Sequence, residues 1–316
     1  MPLSLVRFNM VDPALDPAVM ADRYRAMLDM AAAADQAGFF MATLEEHHGA
    51  DNGWSPTPML NAGMILARTK NLAVTISALL LPLHDPIRVA EDIAVIDLVS
   101  GGRLTTIFGL GYRESEYHLH GKDWDGRGAL MDECIETVLA AWTGAPFEYR
   151  GRTVRVTPTP LTKPHPLVLV GGTSKIAARR AARYGLPMQP AAHMPELEAY
   201  YLEQCEVHGT SGFCVMPAED TAMVFCSEDP DRTWAELGHH FLHEATTYAS
   251  WQTGSIRSAV KSGAATVEEL RAEGIYQVLT PDECRTRDVV ALHPLCGGMP
   301  VDDAWASFQL YLDAVS

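Results

Sequence analysis

The chain has no uninterrupted apolar run of about 18 residues, the length a helix needs to cross a bilayer, so no membrane-spanning segment is expected. Basic residues are scarce. Lys and Arg number 24 against 40 Asp and Glu, a formal net charge of −16. A surplus of that sign repels phosphate backbones and anionic lipid, which argues against nucleic-acid and membrane partners. The six cysteines lie scattered from Cys134 to Cys296 with no C-x-x-C pair, so neither a zinc site nor a disulfide framework is expected. There is no H-E-x-x-H pattern, and no metal is assigned. The opening MPLSLVRFNM lacks a basic segment followed by an apolar one. No secretory leader is expected, and a reduced cytoplasmic setting is. No low-complexity linker divides the chain, so one domain over 1–316 is the expected count.

What is present is organised around Leu72 to Gly111. A nearly continuous apolar, partly β-branched run ends at Pro82, which suits a strand buried on both faces. Pro86 then opens a helix in which Ile87, Ala90, Ala94 and Leu98 recur at helical spacing, and Ser100-Gly101-Gly102 stops it. LTTIFGLG (104–111) is again apolar and ends in glycine. Strand, helix and strand make a βαβ unit, whose strands run parallel.

The same alternation runs along the chain. Strands are expected at 3–10, 39–44, 167–170, 188–192, 221–227 and 289–295, besides the two in the central unit. Helices are expected from Asp16-Pro17 to Gly38, and at 56–68, 127–142, 175–184 and 195–208. Others run from Asp229-Pro230 to about Tyr248, over 281–287 and over 301–315. FEYRGRTVRVT (147–157) alternates around Arg150-Gly151 and predicts a hairpin outside the main sheet. The stretch 250–277 breaks the rhythm and is set apart as an insertion. Eight strand–helix units favour a (β/α)8 TIM barrel with insertions, with a doubly wound open sheet as the alternative, since periodicity does not show closure.

In such folds ligands sit at the carboxyl ends of strands. Glu45-Glu46-His47-His48-Gly49 follows the second strand. Neighbouring residues in extended backbone point to opposite sides, so one imidazole can face a central site as a general base or substrate-binding group while the other packs sideways. Gly109 and Gly111 would let a flat or phosphorylated ligand approach the backbone, although the G-x-G pattern is partial and turn glycines would look the same. Gly171, Gly172, Thr173 and Ser174 follow the fifth strand and open a helix, where amides and hydroxyls could hold a phosphate against the positive helix end, or simply cap it. Arg103, Arg113 and Arg127 are candidates to neutralise that phosphate. His84 and His293 close strands and rank second. His239 and His243 share a helix face without a neighbouring carboxylate motif.

With these residues laid out, the chain resembles the bacterial luciferase-like family of flavin-dependent oxidoreductases. The resemblance is clearest at FFMATLEEHHG (39–49), LLLPLHDPIRVAEDIAVIDLVSGGRL (79–104), GLGYRESEYHLHG (109–121) with RGALMDE (127–133), and LVLVGGTSKIAARRAARYGLPM (167–188). It implies a single (β/α)8 barrel with insertions. It also implies His47 as the active-site base, with Glu116 an acidic group near it. Ser77-Ala78 falls where the family places a non-prolyl cis peptide against the flavin. Gly172, Thr173 and Ser174 match the phosphate loop, and Arg127 lies close to the phosphate-binding arginine.

The activity implied is a monooxygenase that takes reduced FMN from a separate flavin reductase and passes one atom of O2 to a small organic substrate. Alternatives within the resemblance are hydride transfer with the deazaflavin coenzyme F-420 and a non-catalytic flavin-binding partner subunit. A homodimer is implied as well. Gly109 and Leu110 stand where the light-emitting catalytic subunit has cysteine and arginine, so bioluminescence is not implied.

Overall fold

The computed structural model describes residues 2–219, 222–252, 258 and 260–315. In chain order the first elements are β1 (Leu3–Phe8), α1 (Pro17–Gln36), β2 (Met41–Leu44), α2 (Pro58–Arg68), β3 (Ala73–Leu80) and α3 (Pro86–Ser100). There follow β4 (Leu104–Gly109), α4 (Glu114–Leu119), α5 (Arg127–Trp142), β5 (Phe147–Tyr149), β6 (Arg152–Val154), β7 (Val168–Gly171) and α6 (Lys175–Tyr184). The remainder comprises β8 (Met188–Gln189), α7 (Pro195–His208), β9 (Met223–Cys226), α8 (Pro230–Trp251) and α9 (Val267–Glu273). It closes with β10 (Tyr276–Leu279), α10 (Pro281–Arg285), β11 (Val289–Leu292) and α11 (Val301–Val315). Among the described residues no helix is long and apolar enough to cross a membrane.

The chain divides into two compact units. The first comprises the described residues of Met1–Pro56, Arg68–Ala73 and Pro217–Ser316, the second those of Thr57–Ala67 and Val74–Met216.

In the first unit the strands run parallel in the order β10-β9-β11-β1-β2. β1 is placed by two registers, Val6 opposite Leu292 and Phe8 opposite Leu44, with Ser4, Val6 and Phe8 on its buried face. Asp16 caps α1 by accepting from the amides of Ala18 (2.7 Å) and Val19 (3.3 Å), and Pro17 occupies the first turn, where no amide is needed. Arg23 of α1 is fully buried. It donates to the carbonyls of Leu295 (2.6 Å) and Met299 (2.5 Å), which fixes the turn after β11.

In the second unit the order is β3-β4-β7-β8, also parallel. β4 is buried at all but one position and pairs with β3 and β7 (Thr106 opposite Ile76 and Val168). Asp85 and Pro86 repeat the Asp-Pro start of α1, with Asp85 accepting from Ile87 (2.9 Å) and Arg88 (3.2 Å). β5 and β6 form the antiparallel hairpin predicted around Arg150-Gly151. Asp97 of α3 then ties down the chain that returns from it, accepting from the amide (2.8 Å) and hydroxyl (2.6 Å) of Thr162.

The described residues hold nine parallel strands, one more than expected. The extra strand is β10. It begins in the last two residues of the stretch 250–277 set apart as an insertion, which also contains α9, and runs on to Leu279; residues 253–257 and 259 of that stretch lie outside the described residues. β10 is only four residues long, and its pairing with β9 gives it its extended form. Two other boundaries differ. A short helix, α4, opens soon after Gly111 where none was expected, and the strand expected at 188–192 reduces to β8, two residues long. Thr221, expected to begin a strand, lies outside the described residues.

Candidate functional site

The candidate residues fall in both units. In the first, the turn after β2 carries His47, which is 6% exposed, with its amide donating to the Ser55 carbonyl (3.1 Å). Its imidazole lies among three aromatic rings. Trp251 is 4.7 Å away between ring centres, Trp54 is 5.5 Å and Tyr248 is 6.1 Å. Trp54 and Tyr248 are themselves stacked, 5.8 Å apart at 23°. The last turns of α8 supply two of these rings and the loop after His47 the third. Trp54 Nε1 donates to Glu45 (3.2 Å), and Glu45 is paired with Arg7 of β1. Burial alone would lower the pKa of Arg7, but the charges of Glu45 and Glu244 outweigh it and raise it, so the guanidinium stays charged. His48 takes a different partner, with Nε2 lying 2.8 Å from Glu46.

The same unit holds a buried polar cluster, of which only His293 stands out in the sequence as a site candidate. Glu244 of α8 is 1% exposed. Its carboxylate accepts from Asn9 Nδ2 (2.7 Å), Tyr276 OH (3.2 Å), Cys296 Sγ (3.1 Å) and the Gly297 amide (3.0 Å). His293 Nε2 lies 2.9 Å from the same carboxylate, and its Nδ1 donates to the Arg7 carbonyl (3.1 Å). Burial on its own would raise the Glu244 carboxyl, but His293, Arg7 and Asn9 together hold it well below the usual carboxylate range. Burial, and then the Glu244 charge, push the Tyr276 hydroxyl and the Cys296 thiol up. A signal was available, because Glu244 sits on the stripe of α8 that buries Trp234, Gly238, Phe241 and Ala245. The helical histidines are separated by their contacts. His243 meets Asn52 (3.2 Å), while His239 lies against His240.

In the second unit the ends of β3, β4 and β7 carry the other candidates. The peptide bond between Ser77 and Ala78 is cis. A side chain at Gly109 would begin 2.8 Å from the Ala78 Cβ, so only glycine lets β4 pass this point. Gly111 lies beside Tyr117 and Leu80. The Tyr117 hydroxyl donates to the Leu110 carbonyl, which fixes the loop after β4. Gly172 has φ near +145°, and a Cβ there would meet Ala177 of α6 at 2.8 Å, so the backbone runs bare over the start of that helix. Ser174 caps α6 through the Ala177 amide (3.2 Å), and Thr173 stands just before it.

The three candidate arginines differ in how they are engaged. Arg103 donates to the carbonyls of Ser100 and Leu66 (both 2.9 Å). Arg113 pairs with the fully buried Glu116 (3.0 Å). Arg127 stacks on Trp124, 3.7 Å from the ring centre, and donates to the Trp124 carbonyl (2.6 Å). Its Nε is enclosed and has no hydrogen-bond partner among the described residues.

Comparison with known proteins agrees with this architecture. Residues 1–286 match the family described as luciferase-like monooxygenase, and the chain belongs to that family. It is similar to the alkanal monooxygenase beta chain of Vibrio harveyi, 29% identical over 193 residues, which is 58% of this chain and 60% of that protein. Among solved structures it is similar to the monooxygenase RslO1 of Streptomyces bottropensis, with a TM-score of 0.76, 22% identity, and 99% and 98% of the two chains covered. It is also similar to the oxygenating constituent of 3,6-diketocamphane monooxygenase of Pseudomonas putida in complex with FMN. There the TM-score is 0.72 and the identity 18%, with 99% and 96% covered. These likenesses establish the parallel α/β luciferase-like fold. The chain spans between 47% and 60% of the length of the first curated relatives it matches.

Proposed function

We propose that this protein is a flavin-dependent monooxygenase that binds reduced FMN and oxidises a small organic substrate with O2. The observation that carries the reading is the bare backbone at the strand ends of the second unit, where side chains at Gly109 and Gly172 would collide at 2.8 Å. Such a surface suits a flat, phosphorylated ligand, because backbone can approach it without intervening side chains. Ser77, Ala78, Gly109 and Gly111 would line the ring. Gly171, Gly172, Thr173 and Ser174, at the positive end of α6, would hold the phosphate. The enclosed, unpartnered Nε of Arg127 fits an anionic group, and its stacking on Trp124 restricts the guanidinium before any ligand arrives.

Bound reduced FMN supplies the electrons that activate O2. His47 would orient the substrate and hold or deliver a proton on its imidazole, and its enclosure by Trp54, Tyr248 and Trp251 would keep water from that proton. Glu116 would act as a positioning acid, itself placed by Arg113. A separate flavin reductase would supply the cofactor, and the setting would be cytoplasmic. A homodimer is supported by α2 and α3, which leave Leu60, Val95, Leu98 and Val99 exposed on one unit.

The test is anaerobic calorimetric titration with reduced FMN and, side by side, with coenzyme F-420. Tighter binding of reduced FMN is the expected result. A preference for F-420 would replace oxygen transfer by hydride transfer, and binding of neither would favour a non-catalytic partner subunit.

A further inference from the structure

In the second unit, the turn that opens α5 builds a holder for one arginine. Asp123 accepts from the amides of Asp125 (3.3 Å) and Gly126 (2.8 Å), which folds Arg127 back onto Trp124. The Trp124 carbonyl accepts twice from Arg127, from its amide (3.3 Å) and from Nη1 (2.6 Å). The half-buried guanidinium lies 3.7 Å from the centre of the Trp124 ring, within reach of a cation–π contact. That ring is fixed in its turn. Tyr117 meets it edge-on at 5.2 Å and 80°, and it packs against the cluster of Leu80, Leu83 and Tyr117. Tyr117 is fully buried, and its hydroxyl donates to the Leu110 carbonyl between Gly109 and Gly111. A second set of contacts shows which end of the unit Arg127 occupies. Arg180 of α6 donates to the Gly128 carbonyl (3.1 Å) and to Asp132 (2.7 Å). About one turn further on, Arg183 and Tyr184 both donate to Glu136 (2.7 Å each). The partners advance together, so α5 and α6 run parallel and start at the same end. Arg127 opens the first of these helices, and Gly172, Thr173 and Ser174 lead into the second.

We propose that Trp124 is a positioning residue for the cofactor phosphate: its ring face orders the Arg127 guanidinium before the flavin arrives. A guanidinium free to rotate would lose that freedom on meeting an anion, and the loss would weaken the contact. Stacked on Trp124, Arg127 has lost it already. A phosphate at the Gly172–Ser174 loop then meets the positive start of α6 and a fixed charge at the start of α5. Tyr117 ties the same ring to the loop after β4, so the holder is part of the site's own frame. The inference rests on the reading that reduced FMN binds at these strand ends.

The experiment is anaerobic calorimetry of the full-length protein with reduced FMN and reduced riboflavin, which differ only in the phosphate. Wild type, Trp124→Met and Trp124→Phe are compared. The wild type is expected to bind reduced FMN tighter than reduced riboflavin by about tenfold or more. Trp124→Met fills the space without an aromatic face. It should lose about fivefold of that preference, with riboflavin binding held within about twofold. Trp124→Phe restores a ring face and should keep the preference. An unchanged preference in Trp124→Met would overturn the proposal. So would an equal loss for both flavins, the result that a purely structural role of Trp124 would give. A second measurement needs no Trp124 variant. In nitrogen-15 NMR of the flavin-free wild type, the Arg127 Nε–H signal, assigned with Arg127→Met, should be as ordered as the backbone. Mobility equal to that of the exposed Arg25 and Arg88 would overturn the proposal even if Trp124→Met failed to fold. Failure of the wild type to bind either flavin would defeat the monooxygenase reading and this inference with it. Tight binding of reduced FMN with an unmoved preference in Trp124→Met would defeat this inference alone.

Discussion

About two turns of α8 separate Glu244 from Gln252, and the helix treats the two polar side chains in opposite ways. Glu244 is met by Asn9, Tyr276, His293, Cys296 and the Gly297 amide, brought together from the loop after β1, from β10 and from the segment after β11. Gln252 is enclosed at the end of the helix and meets no hydrogen-bond partner among the described residues. A satisfied buried network fixes the positions of the elements that feed it, and it penalises any alternative that leaves one member unpaired. An enclosed group without a hydrogen-bond partner contributes nothing of that kind and carries the cost of its lost hydration. The second unit shows the same contrast, between Arg103, whose donors close the ends of α2 and α3, and Arg127, whose Nε is left over.

The sharpest way to break this comparison is at Glu244. Removing one member of a buried, hydrogen-bonded charge pair costs about 3–5 kcal/mol, so Glu244→Ala is expected to lose stability on that scale in denaturant titration. The acid dependence follows from the depressed carboxyl. Its folded value lies below the unfolded value of about 4.3, so its contribution is present above that value and is lost as pH falls through the folded one. The wild-type melting temperature should therefore drop on acidification below about pH 5 more steeply than that of Glu244→Gln. Equal slopes would mean that the network does not hold the carboxylate ionised.

The expected effect at His47 is of the opposite kind. His47→Ala should lower turnover by about 10²-fold or more, the usual contribution of a positioned acid–base group. Reduced FMN binding should stay within a factor of about two, since the residues proposed to hold it belong to other strand ends. Equal turnover in the two proteins would remove His47 from the mechanism.

Arg127 is the intermediate case. Arg127→Met keeps much of the contact with Trp124 and removes the charge, so reduced FMN should bind about tenfold more weakly, in line with loss of one charge-assisted hydrogen bond to a phosphate. Riboflavin, which lacks the phosphate, should be unaffected in calorimetry. A matching loss for riboflavin would place Arg127 at the ring instead.

How much of this was legible in the chain depends on how local the signal was. The Asp-Pro helix starts at Asp16, Asp85 and Asp229, the glycines closing β4 and β7 and the hairpin at Arg150-Gly151 are encoded within a few residues of where they act. The resemblance gave the family because motifs such as PIRVAED are contiguous. β10 was missed because four residues acquire strand geometry only from β9, which lies some fifty positions away. Glu244 was missed because its partners come from three distant segments, and a single glutamate on an apolar stripe reads equally well as a helix-boundary residue. The aromatic surface at His47 has the same origin, since Trp54 and Trp251 approach each other only after folding.

The smallest expected effect tests whether those local signals act alike in both units. Asp16 and Asp85 each accept from two amides in the first turn of their helices, and a proline follows each. Loss of such a cap costs about 1 kcal/mol, so Asp85→Ala and Asp16→Ala should lower stability by similar amounts. The two sites share no partner, so the double variant should lose about the sum, within roughly 0.5 kcal/mol. Asp16 also donates its own amide to Asp12 (3.2 Å), a contact that survives the substitution, so the cap alone is probed. Denaturant midpoints of the three variants measure this directly. A loss in one unit much larger than in the other would mean that α1 or α3 supports its surroundings beyond its own first turn.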